Sequence, residues 1–543
     1  MAPMSRTKSK DGQEQYGRPL PKLFLLTVTP IAFTLIIRPF LPILLHSSLL
    51  TYLPLPGKVL DKLRSVVQPS FPALQANVGF SLLAFVGSVV LVPQVGKAFV
   101  EKGLKGRDLC KPGGRISGPY IPECLGLPCA SLYILLMMLF IPFPFSHLFT
   151  PSSDSGVAFS QQELTLYLSS LLSLLTATLL GFIDDLFDIR WRHKLPIPLV
   201  ASVPTLLVYY SEGGWTSVVL PSTVGNWLSS IGPLYYIYLL LLPTFTTNSI
   251  NIVAGINGVE VTQALIIALS VLLNDLLFIP IWPERFLAVV GGGNPSEGRL
   301  LGWAAGEVVQ RHLMSAYFMA PMVGVCAGFL WHNWYPAKAF PGDTFCYFTG
   351  MAFSVVAIHG HFSKTLILFF IPQIFNFILS CPQLFHLVPC PRHRLPRYDA
   401  TTNLLFPSLT EFERPPEMKT RVVLRIMEVL RLVKLERASS TMSVTQKVRN
   451  KSGNQVAVKV KTSGENSDPD NIRDGGKESG SDGEGVILSS TNLTILNLLL
   501  VHFGPMREQS LCLLLGFIQV FCSGVAFGIR YGLGSMVYGG ERR

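Results

Sequence analysis

Eleven stretches of this chain are apolar over roughly the 17 to 25 residues that a helix needs to cross a ~30 Å hydrocarbon layer. They lie at about 24–45, 77–97, 126–149, 164–183, 196–211, 233–251, 259–282, 313–331, 344–360, 365–386 and 509–530. Pro30, Arg38, Pro39 and Pro42 interrupt the first. That predicts an uncleaved anchor or interfacial segment, not a signal peptide with its shorter, cleaner apolar core. The fold expected is an all-α polytopic membrane bundle of about ten core transmembrane helices plus an N-terminal hydrophobic segment. It divides into an N-terminal extension at 1–75, a membrane core at 76–400, a cytosolic insertion at 401–490 and a C-terminal membrane segment at 491–543 that completes the core.

Alternating sides along these stretches places the connections 98–125, 184–195, 332–343 and 387–508 on one face, joined by the short link 248–258. This set carries Lys97, Lys102, Lys105, Arg107, Lys111 and Arg115, then Arg190, Arg192 and Lys194, then Arg392, Arg394 and Arg397, whereas 150–163 and 212–232 hold no Lys or Arg. The basic face is therefore expected in the cytosol. The Gly-rich link 283–312, with three Arg, is a mild exception. Within the longest connection, 440–487 has little to bury and reads as a disordered insertion. Just before it, 416–437 sets Val422, Ile426, Val429, Leu430 and Val433 at helical spacing among basic residues, the pattern of an interfacial amphipathic helix. Asn492-Leu493-Thr494 spells a glycosylation acceptor, but its cytosolic placement predicts no glycan.

Composition agrees with a membrane protein. Only 14% of the 543 residues are charged, against roughly 25% in soluble domains. The net charge of +11 sits in the basic loops and the tail, which an inside-positive topology explains with no nucleic-acid partner. Nine cysteines at no metal-ligand spacing read as buried or reduced thiols.

Four polar clusters interrupt the apolar pattern. In the first, Asp184, Asp185 and Asp188 precede Arg190, Arg192, His193 and Lys194 where an apolar helix surfaces. Such a set suits metal and phosphate, and equally an ordinary charged loop anchoring to headgroups. The second, Asn248, Asn251 and Asn257 with Gly255 and Gly258, breaks two apolar spans. Its amides could serve Mg²⁺ and a base or ribose, or form a plain hinge; amides left unsatisfied at membrane depth are costly. In the third, Asp343 directly precedes an apolar run and reads either as a metal ligand or as a helix cap. The fourth, Cys390-Pro391-Arg392-His393-Arg394, offers several donors to a diphosphate, or anchors the chain to the cytosolic leaflet.

Long literal strings identify a relationship. Arg107 to Pro112, Ile121-Pro122-Glu123, Asp184 to Lys194, Asn248 to Glu260, His332 to Pro336, Gly342 to Phe348, Gly360 to Thr365 and Cys390 to Arg394 together resemble the polyprenyl-phosphate N-acetylhexosamine-1-phosphate transferase superfamily. Within it, they resemble the eukaryotic enzymes that act on dolichyl phosphate, fungal members most closely. The resemblance covers about 77–400 and 490–530. It implies transfer of N-acetylglucosamine 1-phosphate from UDP-N-acetylglucosamine to dolichyl phosphate, at a cytosolic groove of the endoplasmic reticulum membrane, with lipid bilayer as surroundings and Mg²⁺ as cofactor. A homodimer is allowed but not required. Carried onto matching positions, Asn251 and Asp343 would hold Mg²⁺, with Arg392 near the diphosphate. Arg394, His393 and Trp191 would line the sugar pocket, and Leu109, Glu123, Gly255, Asn257 and Phe340 the uridine or adjacent loops. Asn248 joins the substrate-binding set. Asp184, Asp185, Asp188 and Lys194 would surround the reacting phosphates with Lys111 close by, although family members vary between Asp and Asn at Asp188. The N-terminal segment, the Gly-rich link and 440–487 depart from the family without interrupting a motif.

The chemistry implied is attack of a dolichyl phosphate oxygen on the β-phosphorus, releasing UMP. The nucleophile is already largely ionised, its second pKa lying near 6, so Asp184 reads as proton acceptor or phosphate-positioning group and Asp185 as structural or metal-linked. A relative using another UDP-sugar is the nearest enzymatic rival. A transporter with broken helices is the rival from another class; the one-sided clusters and the lack of an inverted repeat weigh against it.

Overall fold

A computed structural model describes residues 16–40, 71–111, 118–146, 161–187, 189–211, 213–214, 233–290, 293, 298–301, 304, 306–391, 394–412, 414–437, 444–449, 455–460 and 487–534. Each of the eleven apolar stretches carries a helix. In chain order the helices are α1 (Lys22–Ile37), α2 (Pro72–Glu101), α3 (Gly126–Phe140), α4 (Gln161–Phe187), the single turn α5 (Trp191–Lys194), α6 (Ile197–Ser211), α7 (Pro233–Ile252) and α8 (Val259–Leu276). There follow α9 (Glu284–Val290), α10 (Glu307–Asn333), α11 (Gly342–His359), α12 (Ser363–Phe369), α13 (Ile371–Leu384), α14 (Met418–Val429), α15 (Ile495–Phe503) and α16 (Glu508–Phe527). By length and composition six of these can cross a membrane, or seven if α12 and α13, bent by 70° at a short break, form one span. The ten core spans expected from hydropathy exceed that number. The stretches at 126–149 and 196–211 become the short helices α3 and α6, of 15 residues each.

The chain divides into two compact units. The first comprises Met1–Phe377, Ala400–Asn403 and Arg507–Arg543, and holds the membrane helices. Its core is apolar and aromatic, with Tyr133, Phe140, Phe345, Phe348 and Phe353 all buried. Two glycines let helices touch backbone to backbone: a Cβ on Gly181 of α4 would lie 2.9 Å from Thr344 Cα of α11, and one on Gly350 of α11 would lie 2.5 Å from Thr247 Cα of α7. Small residues at such crossings are the usual device of membrane helix packing. Here they bring three polar chain segments together at the helix ends.

The N-terminal segment also reaches this unit's loops. The Arg18 guanidinium donates to the carbonyls of Trp334, at 2.5 Å, and Pro336, at 2.9 Å.

The second unit comprises Ile378–Asp399 and Leu404–Met506. The strand Ile487–Thr491 lies between the strands Leu409–Glu411 and Leu435–Arg437, antiparallel to both. The Asn492 side chain is buried here, accepting from Gln383 and Thr410 and donating to Ser408. Its amide is consumed internally. The stretch 440–487, read as lacking structure, contains one antiparallel pair, Val444–Arg449 with Gln455–Val460. The alternating Val456, Val458 and Val460 explain it: local β-propensity acts even where composition offers no core. Residues 438–443, 450–454 and 461–486 lie outside the described residues.

Candidate active site

Asp184 and Asp185 lie one turn beyond the Gly181 crossing, so α4 delivers both carboxylates to the first turn of α11. Asp185 accepts from the Asp343 N–H at 2.6 Å, the Thr344 N–H at 3.0 Å and the Thr344 hydroxyl. The residue before α11 is Pro341, which offers no capping side chain, and Asp185 takes that part from another helix. Gly342, at φ +69°, permits the approach, because a Cβ there would stand 2.6 Å from Asp185 Oδ2 and 2.8 Å from Cys124 Cα.

Relieved of capping, Asp343 turns its carboxylate outward to side chains. It accepts from Asn251 Nδ2 at 3.1 Å and from Lys194 Nζ at 2.5 Å. Lys194 also pairs with buried Asp184 at 2.8 Å, which in turn accepts from the Ile189 N–H and the Tyr347 hydroxyl. Burial opposes the Lys194 charge, but Asp343 and Asp184 outweigh it and hold the ammonium above its ordinary pKa. Glu123 lies close enough that burial and then the charges of Asp185 and Asp343 push its pKa up. Of the four carboxylates here (Glu123, Asp184, Asp185, Asp343), only Asp184 and Asp343 pair with Lys194, a negative excess that suits a hard cation.

A second constellation forms around Asn257, between α7 and α8. The Asn257 N–H donates to Glu508 Oε1 at 2.6 Å, its side-chain N–H to Asp108 at 3.0 Å, and its Oδ1 accepts from the Ala337 N–H at 2.8 Å. Lys111 bridges Glu508 at 2.5 Å and Asp108 at 3.2 Å, its ammonium 4.0 Å from the Tyr335 ring centroid. Lys111, expected near the reacting phosphates, is therefore engaged here. Asp108, Cys110 and Glu508 bring ligand atoms within 4.8 Å of one another, a spacing open to a metal. The Lys111 ammonium already supplies the positive charge. Burial, with Glu508 and Asp108, pushes the Cys110 thiol up to about 12.

Phe340 joins backbone to Pro122 and Leu125 and, with Glu123, faces the side of Gly106, whose Cβ would lie 3.4 Å from its ring. Gly255, at φ +104°, donates its N–H to Glu260. Asn248 turns back on its own helix, donating to the Thr244 carbonyl. Leu109 is exposed. Trp191 opens the α5 turn, and its side chain, with Asp188, Arg392 and His393, lies outside the described residues. Arg394 belongs to the second unit, where its carbonyl accepts from Asn497. Its Nη1 is buried with no hydrogen-bond partner among the described residues, and burial lowers its pKa. Sequence reasoning assigned no role to Asp108, Glu508, Thr344 or Tyr347. Glu508 alone carried a cue, the one that singled out Asp343: a carboxylate at the start of an apolar run.

The glycosyl transferase family 4 model matches residues 167–361, which include Asp184, Lys194, Asn251 and Asp343. The chain is also 39% identical over 484 residues to the UDP-N-acetylglucosamine–dolichyl-phosphate N-acetylglucosaminephosphotransferase of Schizosaccharomyces pombe, covering 86% of this chain and 93% of that one. The chain belongs to this transferase family. The proteins of the same name from Saccharomyces cerevisiae, 38% identical over 86% of the chain and 93% of that relative, and from Dictyostelium discoideum, 35% over 83% and 88%, are further members. Membership makes it a membrane glycosyl-1-phosphate transferase, a family consistent with a divalent metal.

Proposed function

We propose that the chain transfers N-acetylglucosamine 1-phosphate from UDP-N-acetylglucosamine to dolichyl phosphate, giving N-acetylglucosaminyl-diphosphodolichol and UMP, the first step of lipid-linked oligosaccharide synthesis for protein N-glycosylation. The observation that carries this reading is the Lys194 ammonium held between Asp184 and Asp343, beside Asn251, in a chain similar over 86% of its length to transferases of that name.

Two anionic reactants must meet here. Lys194 sits where it can stabilise phosphate oxygens as charge develops on them, and its shared carboxylates hold it charged and aimed. Asp343 and the Asn251 amide oxygen are the residues that would hold Mg²⁺, an ion that takes one or two carboxylates and completes its shell with phosphates and water. When bound, the ion offsets the charge of the diphosphate. Asp184, bound to Lys194 and Tyr347, orients the lysine and stands ready to accept a proton from the lipid phosphate. Asp185 is fully used in holding α11, which removes it from proton transfer. Glu123, Phe340, Gly255 and Asn257 form the nucleoside side of the site. The Arg392-His393-Arg394 segment carries cations suited to a sugar diphosphate. The basic connections support a cytosolic site in the endoplasmic reticulum membrane.

Incubating membranes containing the protein with radiolabelled UDP-N-acetylglucosamine and dolichyl phosphate should yield a labelled lipid and one UMP per lipid formed. Release of UDP in place of UMP would overturn the reading, since it would mean cleavage at the glycosidic carbon.

A further inference from the structure

Helix α14 presents two apolar faces. One is spent inside its own unit: Leu424 and Met427 are buried with Leu379, Val388, Val433 and Leu493. The other stays in the open. Met418, Val422, Ile426, Val429 and Leu430, spaced four, four, three and one residues apart, fall on one side of the helix and are each at least 50% exposed. A contiguous apolar stripe of this kind on a water-facing element marks a surface that something covers.

What covers it is indicated by charge and by attachment. Lys419, Arg421 and Arg425 flank the stripe, and the acidic Glu428 is tied to Arg437. Basic residues bordering an apolar face match an anionic leaflet. The helix is also fastened to the end of an apolar span. Leu379, in its buried cluster, belongs to α13, and the Thr420 hydroxyl donates to the Leu387 carbonyl at 2.7 Å, just past the end of α13, where Phe385 and Leu387 are themselves exposed. A helix pinned where a span leaves the hydrocarbon lies within reach of the headgroup layer. We infer that α14 is an interfacial membrane-docking helix, seating Met418, Val422, Ile426, Val429 and Leu430 among acyl chains and Lys419, Arg421 and Arg425 against anionic headgroups. It would hold the small sheet of the second unit to the bilayer surface.

The test uses the full-length chain in lipid nanodiscs with a fluorescent amino acid at position 426 or, as a solvent control, at 417. Transferase activity reports that each labelled chain is folded. Lipids carrying a quencher on the acyl chain should quench position 426 at least threefold more than 417, and aqueous iodide should do the reverse. Adding phosphatidylserine to phosphatidylcholine discs should strengthen the lipid quenching at 426, and the paired changes Arg421→Gln and Arg425→Gln should abolish that increment. Equal iodide quenching at 426 and 417 would overturn the inference. So would shielding of 426 from both quenchers, the mark of a protein partner or a second copy on this face.

Discussion

The Asp185 carboxylate caps a helix that is not its own, accepting the Thr344 N–H at 3.0 Å across 159 positions of sequence. This bond and the one from the Asp343 N–H fix the angle at which Asp343 leaves α11. Asp185→Ala should therefore lower stability by about 1–2 kcal/mol, the range measured for lost caps. Asp185→Asn, which keeps a carbonyl acceptor, should fall between the two. Thermal unfolding of the purified proteins in one detergent gives the ranking, and an Ala variant that melts with the parent would remove Asp185 from this role.

Asp343 itself makes no capping bond; its carboxylate faces Asn251 and Lys194. Asp343→Asn should insert and purify normally, yet turnover should fall by roughly a hundredfold, on the order of 3 kcal/mol. Added Mg²⁺ should recover part of the loss. Near-normal turnover at limiting Mg²⁺ would sink the ligand assignment.

Lys111 holds the buried Glu508 and the half-buried Asp108 together, so its loss leaves the two carboxylates facing each other uncompensated. Lys111→Met should cost about 3–5 kcal/mol. Adding Glu508→Gln should restore part of that, a non-additivity measurable in a double-mutant cycle. The pH dependence follows from the same pairing. Burial lowers the Lys111 pKa, but Glu508 and Asp108 raise it further, to a net position above 10.5. The stabilisation is then complete below that value and is lost as pH rises through the folded-state pKa. The parent should lose more stability between neutral pH and the alkaline range than the Lys111→Met protein does.

Among the described residues, none from 445–485 belongs to either constellation. Deleting that stretch while keeping the strand Ile487–Thr491 should leave transferase activity within about threefold, less than ~1 kcal/mol of barrier. A cysteine placed inside it should react with an impermeant thiol reagent only from the cytosolic side. Labelling from the lumen would invert the topology drawn from Arg392, Arg394 and Arg397.

What the sequence determined by itself is what local pattern can carry. An apolar run of about twenty residues has few fates besides a helix in a membrane, and all eleven such runs carry helices, six or seven of which, among the described residues, are long and apolar enough to cross. Polar breaks at 184–194 and 248–260 were equally plain, because unsatisfied groups there must find partners. Tertiary structure decided which partners they found. Asp184 and Asp185 are adjacent, yet one binds Lys194 and the other α11. Lys111 meets Glu508 across 397 positions, with the whole membrane core and the second unit between them in the chain. Hydropathy places helices along a chain; only their packing, through close crossings such as Gly181 on Thr344, sets which charge faces which.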